Sequence, residues 1–144
     1  SYFFMKKAFE FLPHTADVKF RAYGKTLGEA FANAALATKA VMTEDTIKQK
    51  IEKKITVQAG NKESLLYDFL EKLLYFVDTE GFLVGKVKKI NITEKNNRFV
   101  LDAIVVGDHA DNYEIKTQIK AVTYSDMFIK EEKTKVTIQV VHDV

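Results

Sequence analysis

The chain is short, nearly balanced in charge and free of cysteine. It has 144 residues, of which 47% are hydrophobic and 29% charged, and its 22 Lys and Arg against 20 Asp and Glu leave a net charge of +2. These values are typical of one globular domain, and the balanced charge provides no broad basic field for nucleic acid. Because cysteine is absent, the sequence excludes a disulfide scaffold, a thiolate nucleophile, a zinc ribbon and an iron–sulfur centre.

The N-terminal segment carries no targeting pattern. Met5-Lys6-Lys7 is a natural start, so we expect residues 1–4 to be an expression remnant and residues 5–144 to form a single domain. No apolar stretch approaches the roughly 20 residues that span a bilayer, and a basic start followed by an apolar stretch and a small-residue cleavage site is missing. We therefore expect a cytoplasmic protein without membrane contact.

Two segments have the periodicity of amphipathic helices. Residues 18–22 first alternate as a strand, and Thr26 with Glu29 three residues later then forms a capping-box pattern. Apolar residues recur from there to Met42 at spacings of three and four, with an alanine-rich face that allows close packing. A leucine-rich stripe predicts the second helix over about residues 62–77.

The rest of the sequence alternates with the period of β-strands. Further strands are predicted at residues 51–57, 87–92 with a break in the alternation, 99–106, 113–123 and 134–141. Short turns such as Lys95-Asn96-Asn97 favour antiparallel pairing, and two helices are too few to cover both faces of a parallel sheet. The sequence therefore predicts an α+β fold in which two helices pack on a mostly antiparallel β-sheet system.

Two distant segments are candidates for an oxygen-rich site. The turn Pro13-His14-Thr15-Ala16-Asp17 can point an imidazole and a carboxylate the same way, although a plain turn with Thr and Asp bonded to nearby backbone is the alternative. The last predicted strand continues to Val144, which can hold the Asp143 side chain and the Val144 carboxylate in place. Together with Asp17, these groups would suit a hard cation such as Ca²⁺ or Mg²⁺.

Three further segments have competing interpretations. The run Gly107-Asp108-His109-Ala110-Asp111, followed by Glu114, lacks the order of an EF-hand loop, which favours a solvated turn. Lys120 lies in an apolar strand, where it could protect a sheet edge or bind a phosphate. The basic residues between positions 86 and 98 are not interleaved with aromatic residues, which favours a solvated hairpin over an RNA surface.

Taken in order, five segments resemble the archease family. The resemblance covers essentially residues 5–144, and the ordered set is more specific than any one segment. The segments are residues 11–18, 24–31, 65–70 with 73–75, 119–124 and 142–144. Lys72 and Asp108 depart from the family pattern, and because Lys72 reverses a charge, no function is assigned to its helix face.

The resemblance implies a protein cofactor, not an enzyme, with an RtcB-type RNA ligase as its partner. Such a cofactor promotes GTP-dependent guanylylation of the ligase and multiple turnover in tRNA splicing and RNA repair. By this likeness Asp17 and Asp143 bind a divalent metal ion, Ca²⁺ or Mg²⁺. His14 contacts or orients the site, and Lys120 meets a phosphate or the ligase.

Three other functions stay open at this point. The family has also been proposed to modulate tRNA methylation in a chaperone-like way, with a tRNA methyltransferase as the partner. A small metal-dependent phosphoesterase could use the same carboxylates. A plain RNA-binding module is the third alternative, although the balanced charge favours only indirect or weak RNA contact.

Overall fold

The computed structural model describes residues 7–13 and 16–144. Its elements are β1 (Phe9–Leu12), β2 (Val18–Gly24), α1 (Leu27–Met42), β3 (Ile51–Ala59), α2 (Lys62–Glu80), β4 (Phe82–Lys95), β5 (Arg98–His109), a short 3-10 helix (Ala110–Asn112), β6 (Ala121–Glu131) and β7 (Val136–Asp143). Residues 1–4, interpreted above as a remnant, lie outside the described residues. Over these ranges, no helix has the length and apolar character needed to cross a membrane.

The strands form two sheets in which all the described pairs are antiparallel. The first sheet has the order β1-β2-β7-β6, and the second has the order β3-β5-β4. Each helix contacts strands of both sheets, so the apolar core lies where the helices meet the two sheets. The predicted α+β class, with two helices on antiparallel sheets, is confirmed.

Helix α1 begins at the predicted cap. The Thr26 side chain accepts a hydrogen bond from the Glu29 amide at 3.1 Å, and the Glu29 carboxylate accepts one from the Lys25 amide at 2.5 Å. These bonds satisfy amides that the first helical turn leaves without partners. The helix buries side chains on several sides because both sheets contact it; they are Ala30, Phe31, Ala34, Ala35, Ala37, Thr38 and Met42.

Helix α2 carries the leucine-rich stripe and runs three residues beyond the predicted range of 62–77. Asn61 caps it by accepting a hydrogen bond at 2.7 Å from an amide of the first turn. Gly81 ends it in the left-handed region, with φ of 60°, which glycine adopts without strain. Phe69 packs against Phe31 of α1 with ring centroids 6.0 Å apart, and both side chains are fully buried.

One strand of the structure was missed and another was predicted too long. The edge strand β1 was not predicted, because four residues are too few to show a clear alternation. The strand predicted over residues 113–123 starts only at Ala121. Residues 113–120 alternate in burial as a strand does, but the amides of Lys116 and Thr117 bond to the carbonyl of Met42 at the end of α1. Alternation alone cannot show whether another strand is available for pairing.

The break predicted in the alternation of β4 is confirmed. Its pairing with β5 shifts register between residues 84 and 86 and again between residues 87 and 89. The predicted turn that follows has Asn96 and Asn97 in the left-handed region, with φ of 55° and 62°. Two such residues in succession match the twist of a tight hairpin.

Candidate functional site

Three strand ends meet at one end of the first sheet. The start of β2 lies beside the end of β7, because Val18 pairs with His142. The start of β6 lies on the other side of β7, because Ala121 pairs with Asp143. The sheet order therefore brings a segment near the beginning of the chain together with two segments near its end.

Both predicted carboxylates lie at this end of the sheet. Asp143 is the last residue of β7, and Asp17 directly precedes β2. Continuing the pairing of Val18 with His142 by one residue sets Asp17 opposite Asp143. Asp17 precedes the first paired residue of β2, so this proximity is one of backbone positions. Both aspartates are partly exposed.

The other predicted residues flank this pair. Val144 is partly buried and packs against the apolar core. Lys120 is exposed, and its backbone amide donates a hydrogen bond to the Asp143 carbonyl oxygen at 2.7 Å. Because β6 is an edge strand of its sheet, edge protection and a role in the site are both compatible with Lys120. His14 lies outside the described residues, so its predicted role stays a prediction.

Directly beside Asp143, a histidine is fully buried. His142 Nε2 lies 2.9 Å from the hydroxyl oxygen of Thr38 in α1, and its ring packs 5.4 Å from that of Phe20. The Thr38 hydroxyl donates to the carbonyl of Ala34 at 2.9 Å, so its oxygen is left to accept a proton from Nε2. This assigns the proton to Nε2 and leaves Nδ1 without a hydrogen-bond partner in the described part of the chain.

Burial also keeps this histidine neutral. It lowers the pKa of His142 to about 4, because the charged imidazolium would lose its hydration in the core. The side chain therefore acts near neutral pH as a hydrogen-bond donor that ties β7 to α1 just behind Asp143. In the sequence, the signal for the contact between α1 and His142 is Thr38, a hydroxyl-bearing residue within the alanine-rich face of α1.

The prediction of a solvated turn over residues 107–111 is wrong for most of the segment, because Gly107, Asp108 and His109 belong to β5 and Gly107, Asp108 and Ala110 are buried. Asp108 is only 2% exposed, and its carboxylate accepts hydrogen bonds from the Tyr113 hydroxyl at 2.7 Å and the His109 amide at 2.8 Å. The bond from Tyr113 is the main cause that lowers the pKa of Asp108. Asp111 and Glu114 are exposed. The composition of the segment could not show that Tyr113 folds back onto Asp108.

The aspartate pair offers only part of a metal site. Carboxylate oxygens are the ligands that Ca²⁺ and Mg²⁺ prefer. Across residues 7–13 and 16–144, however, no group of three or more His, Cys, Asp or Glu side chains is arranged to hold a metal ion. Asp17 and Asp143 therefore fit a divalent cation by ligand chemistry, while the Val144 carboxylate, water or a partner would have to supply the remaining ligands.

These features define a class of protein: an α+β domain with two antiparallel sheets and an acidic pair at one end of the first sheet. A model of the Archease protein family matches residues 9–144. The chain belongs to the archease family. It is 40% identical over 127 residues to the Protein archease of Pyrococcus furiosus, covering 86% of this chain and 89% of that one. It is 36% identical over 141 residues to the Protein archease of Methanosarcina barkeri, covering 96% and 97%.

Solved structures share the same fold. The solution structure of protein 1598 of Methanobacterium thermoautotrophicum matches with a TM-score of 0.81 and 35% sequence identity, covering 95% of this chain and 99% of that one. A crystal structure from Thermotoga maritima, described as an archease and possible chaperone, matches with a TM-score of 0.54 and 18% identity over 98% of each chain. At 18% identity, the second match supports a shared fold and nothing further.

Proposed function

We propose that this chain activates an RtcB-type RNA ligase by promoting its GTP-dependent guanylylation and its multiple turnover in tRNA splicing and RNA repair. One observation carries the proposal: Asp17, Asp143 and Lys120 come from three segments and meet at one end of the first sheet. Membership of the archease family supports it. A cytoplasmic location is part of the proposal.

Asp17 and Asp143 would together hold a divalent cation, Ca²⁺ or Mg²⁺. When bound, the cation would supply positive charge close to the phosphates of GTP. Lys120 would add a second, mobile positive charge at the same end of the sheet. Because phosphoryl transfer depends on positioning and on stabilising negative charge, these groups could assist the ligase without taking part in a covalent step.

The cation would need ligands beyond the aspartate pair. Two carboxylates fill only part of the shell of Ca²⁺ or Mg²⁺, so the Val144 carboxylate, water, GTP or the ligase itself would complete it. A shell completed in part by GTP and the ligase suits a cofactor protein. Membership of the archease family also favours ligase activation over the phosphoesterase alternative.

The test is a guanylylation assay of the RtcB-type ligase from the same organism, with labelled GTP and with or without this protein. We expect wild-type protein to accelerate guanylylation and to permit several ligations per ligase molecule. Asp17→Asn and Asp143→Asn should fold normally but lose this stimulation. Asp111→Asn is the matched control, because Asp111 is an exposed aspartate of the 3-10 helix outside the site.

The outcomes separate the alternatives. Full stimulation by either Asp17→Asn or Asp143→Asn would refute the role of the carboxylate pair. Release of phosphate from phosphoesters by the isolated protein would favour the phosphoesterase. Stimulation of a tRNA methyltransferase without any effect on the ligase would favour the chaperone-like function.

A further inference from the structure

Strand β6 contains a pronounced bulge shortly after the candidate site. Thr123 pairs with Val141 and Phe128 pairs with Gln139, so five steps along β6 correspond to two along β7. Within the bulge Asp126 has a φ of 54°, in the left-handed region that non-glycine residues seldom adopt. The extra residues leave the strand ladder, and Asp126 within them contacts side chains of β7 and β2.

Contacts with neighbouring strands hold the bulge in place. The Gln139 side chain donates a hydrogen bond to the Asp126 carbonyl at 2.8 Å, and Lys19 forms an ion pair with the Asp126 carboxylate at 3.2 Å. At the base of the bulge, the Thr123 hydroxyl donates to the Val141 carbonyl at 2.8 Å. The bulge is therefore anchored to β7 and β2 at Thr123 and Asp126.

The bulge residue Tyr124 stacks on helix α2. Its ring lies 4.3 Å from that of Tyr67, with an angle of 10° between the planes, and its hydroxyl donates to the Ser64 hydroxyl at 3.4 Å. Tyr124 is nevertheless 53% exposed. A rigid aromatic ring held open to solvent is a characteristic of protein interfaces, where tyrosine often contributes much of the binding energy.

The surroundings of the stacked rings are acidic. Burial raises the pKa of Tyr67, and the nearby carboxylates of Glu71 and Asp68 raise it further. Lys72, the cation next in sequence, is directed toward the following turn, where its Nζ lies 4.6 Å from the centre of the Tyr75 ring. The stacked rings therefore have negative charge beside them.

We propose that Tyr124, Tyr67, Asp68 and Glu71, here called the tyrosine patch, form a docking surface for a basic segment of the partner ligase. This inference rests on the proposed function. An arginine or lysine can lie over the exposed tyrosine ring and pair with the neighbouring carboxylates. RNA is the less suitable occupant, because its phosphates would be repelled by Asp68 and Glu71 while its bases stacked on Tyr124.

The tyrosine patch is close enough to the candidate site for one partner to contact both. Tyr124 follows Lys120 by four residues, so their Cα atoms are at most roughly 14 Å apart. A protein interface of ordinary size, about 800 Å² on each partner, covers this distance. The patch would secure the ligase while the carboxylate pair acts on its active site, so binding and activation would depend on different residues.

The experiment measures the affinity of the ligase for wild-type protein and for variants, together with stimulation of guanylylation. We expect Tyr124→Ala and Glu71→Lys each to weaken binding about 10-fold or more. Stimulation by these variants should recover fully at saturating concentration, because the carboxylate pair is unchanged. Glu94→Lys is the matched charge control, since Glu94 is an exposed residue of β4 in the second sheet, and it should bind as the wild type does. Asp143→Asn should show the reverse pattern, with normal binding and no stimulation.

The alternatives give different results. If wild-type protein stimulates the ligase and both patch variants bind it as tightly as wild type does, the tyrosine patch is not the docking surface, while the proposed function stands. If wild-type protein neither binds nor stimulates the ligase, the proposed function fails and the docking inference fails with it. If a labelled single-stranded oligoribonucleotide binds the wild type and is lost with Tyr124→Ala, the patch is an RNA surface and the proposal is overturned.

Discussion

The buried His142 makes the stability of the fold sensitive to mild acid. Its pKa is about 4 in the folded protein and about 6.5 for an unperturbed imidazole. Between these two pH values the imidazole of His142 is mostly protonated in the unfolded chain and mostly neutral in the folded chain. The stability that depends on a neutral His142 is therefore complete above about pH 6.5, and it is lost progressively as the pH falls toward 4.

The size of the loss follows from the two pKa values. At pH 7 both states are mostly neutral, and at pH 5 the unfolded imidazole is almost entirely protonated while His142 in the core remains mostly neutral. The difference corresponds to about 2 kcal/mol of unfolding free energy lost between pH 7 and pH 5. Other groups also contribute to the pH dependence of stability, so the contribution of His142 must be isolated by comparison with a variant.

His142→Leu supplies that comparison. Leucine has a similar size and cannot be protonated, and the Thr38 hydroxyl keeps its bond to the Ala34 carbonyl at 2.9 Å. Urea denaturation at pH 7 and pH 5, with a chelator present, gives the free energy of unfolding for both proteins. Wild type should lose about 2 kcal/mol more than the variant between these pH values. An equal loss in both proteins would show that His142 titrates normally and that the reasoning from burial is wrong.

Two further predictions concern packing and ionisation. Gly107→Ala should destabilise the protein by about 3 kcal/mol, because the added Cβ would lie 1.9 Å from the Leu83 carbonyl oxygen. Gly60→Ala is the control and should leave the urea midpoint nearly unchanged, because its Cβ would meet nothing within 4 Å. Equal midpoints for the two variants would contradict the clash. Burial and a 2.5 Å hydrogen bond to the Glu10 carboxylate raise the pKa of Tyr23 to about 12. Glu10→Gln should therefore lower this pKa in an ultraviolet titration of the tyrosines, in which Tyr23→Phe identifies the signal of Tyr23. An unchanged titration curve would refute the assignment.

Much of the fold was predictable because its signals are local. The cap at Thr26 and the repeat of apolar residues determine α1 within a few neighbouring residues, and a local pattern can be recognised in one sequence. The predicted break in β4 and the asparagine turn after it are local for the same reason. The edge strand β1 was missed, and the segment before Ala121 was wrongly predicted as a strand, since pairing depends on which strands are spatial neighbours.

The candidate site was also predictable only in part from the sequence. The residue types of Asp17, Asp143 and Lys120 suggested oxygen ligands and a phosphate-binding cation, but their proximity follows from the positions of β2 and β6 on either side of β7. Asp108 shows the opposite case, in which an acidic residue in a turn-like segment is buried because Tyr113 bonds to it. Composition cannot separate such cases, because the burial of a charged group depends on its partners in space.

By itself the sequence determined the two helices, most of the strands, the absence of cysteine chemistry and the resemblance to archease. Only the tertiary structure decided that His142 is neutral and bonded to Thr38, and that a bulge holds Tyr124 against Tyr67 at the surface. The physical reason is the sequence separation of the residues that interact. Helix caps and apolar periodicity depend on residues only a few positions apart. Strand pairing, burial and side-chain stacking join residues that the chain keeps far apart.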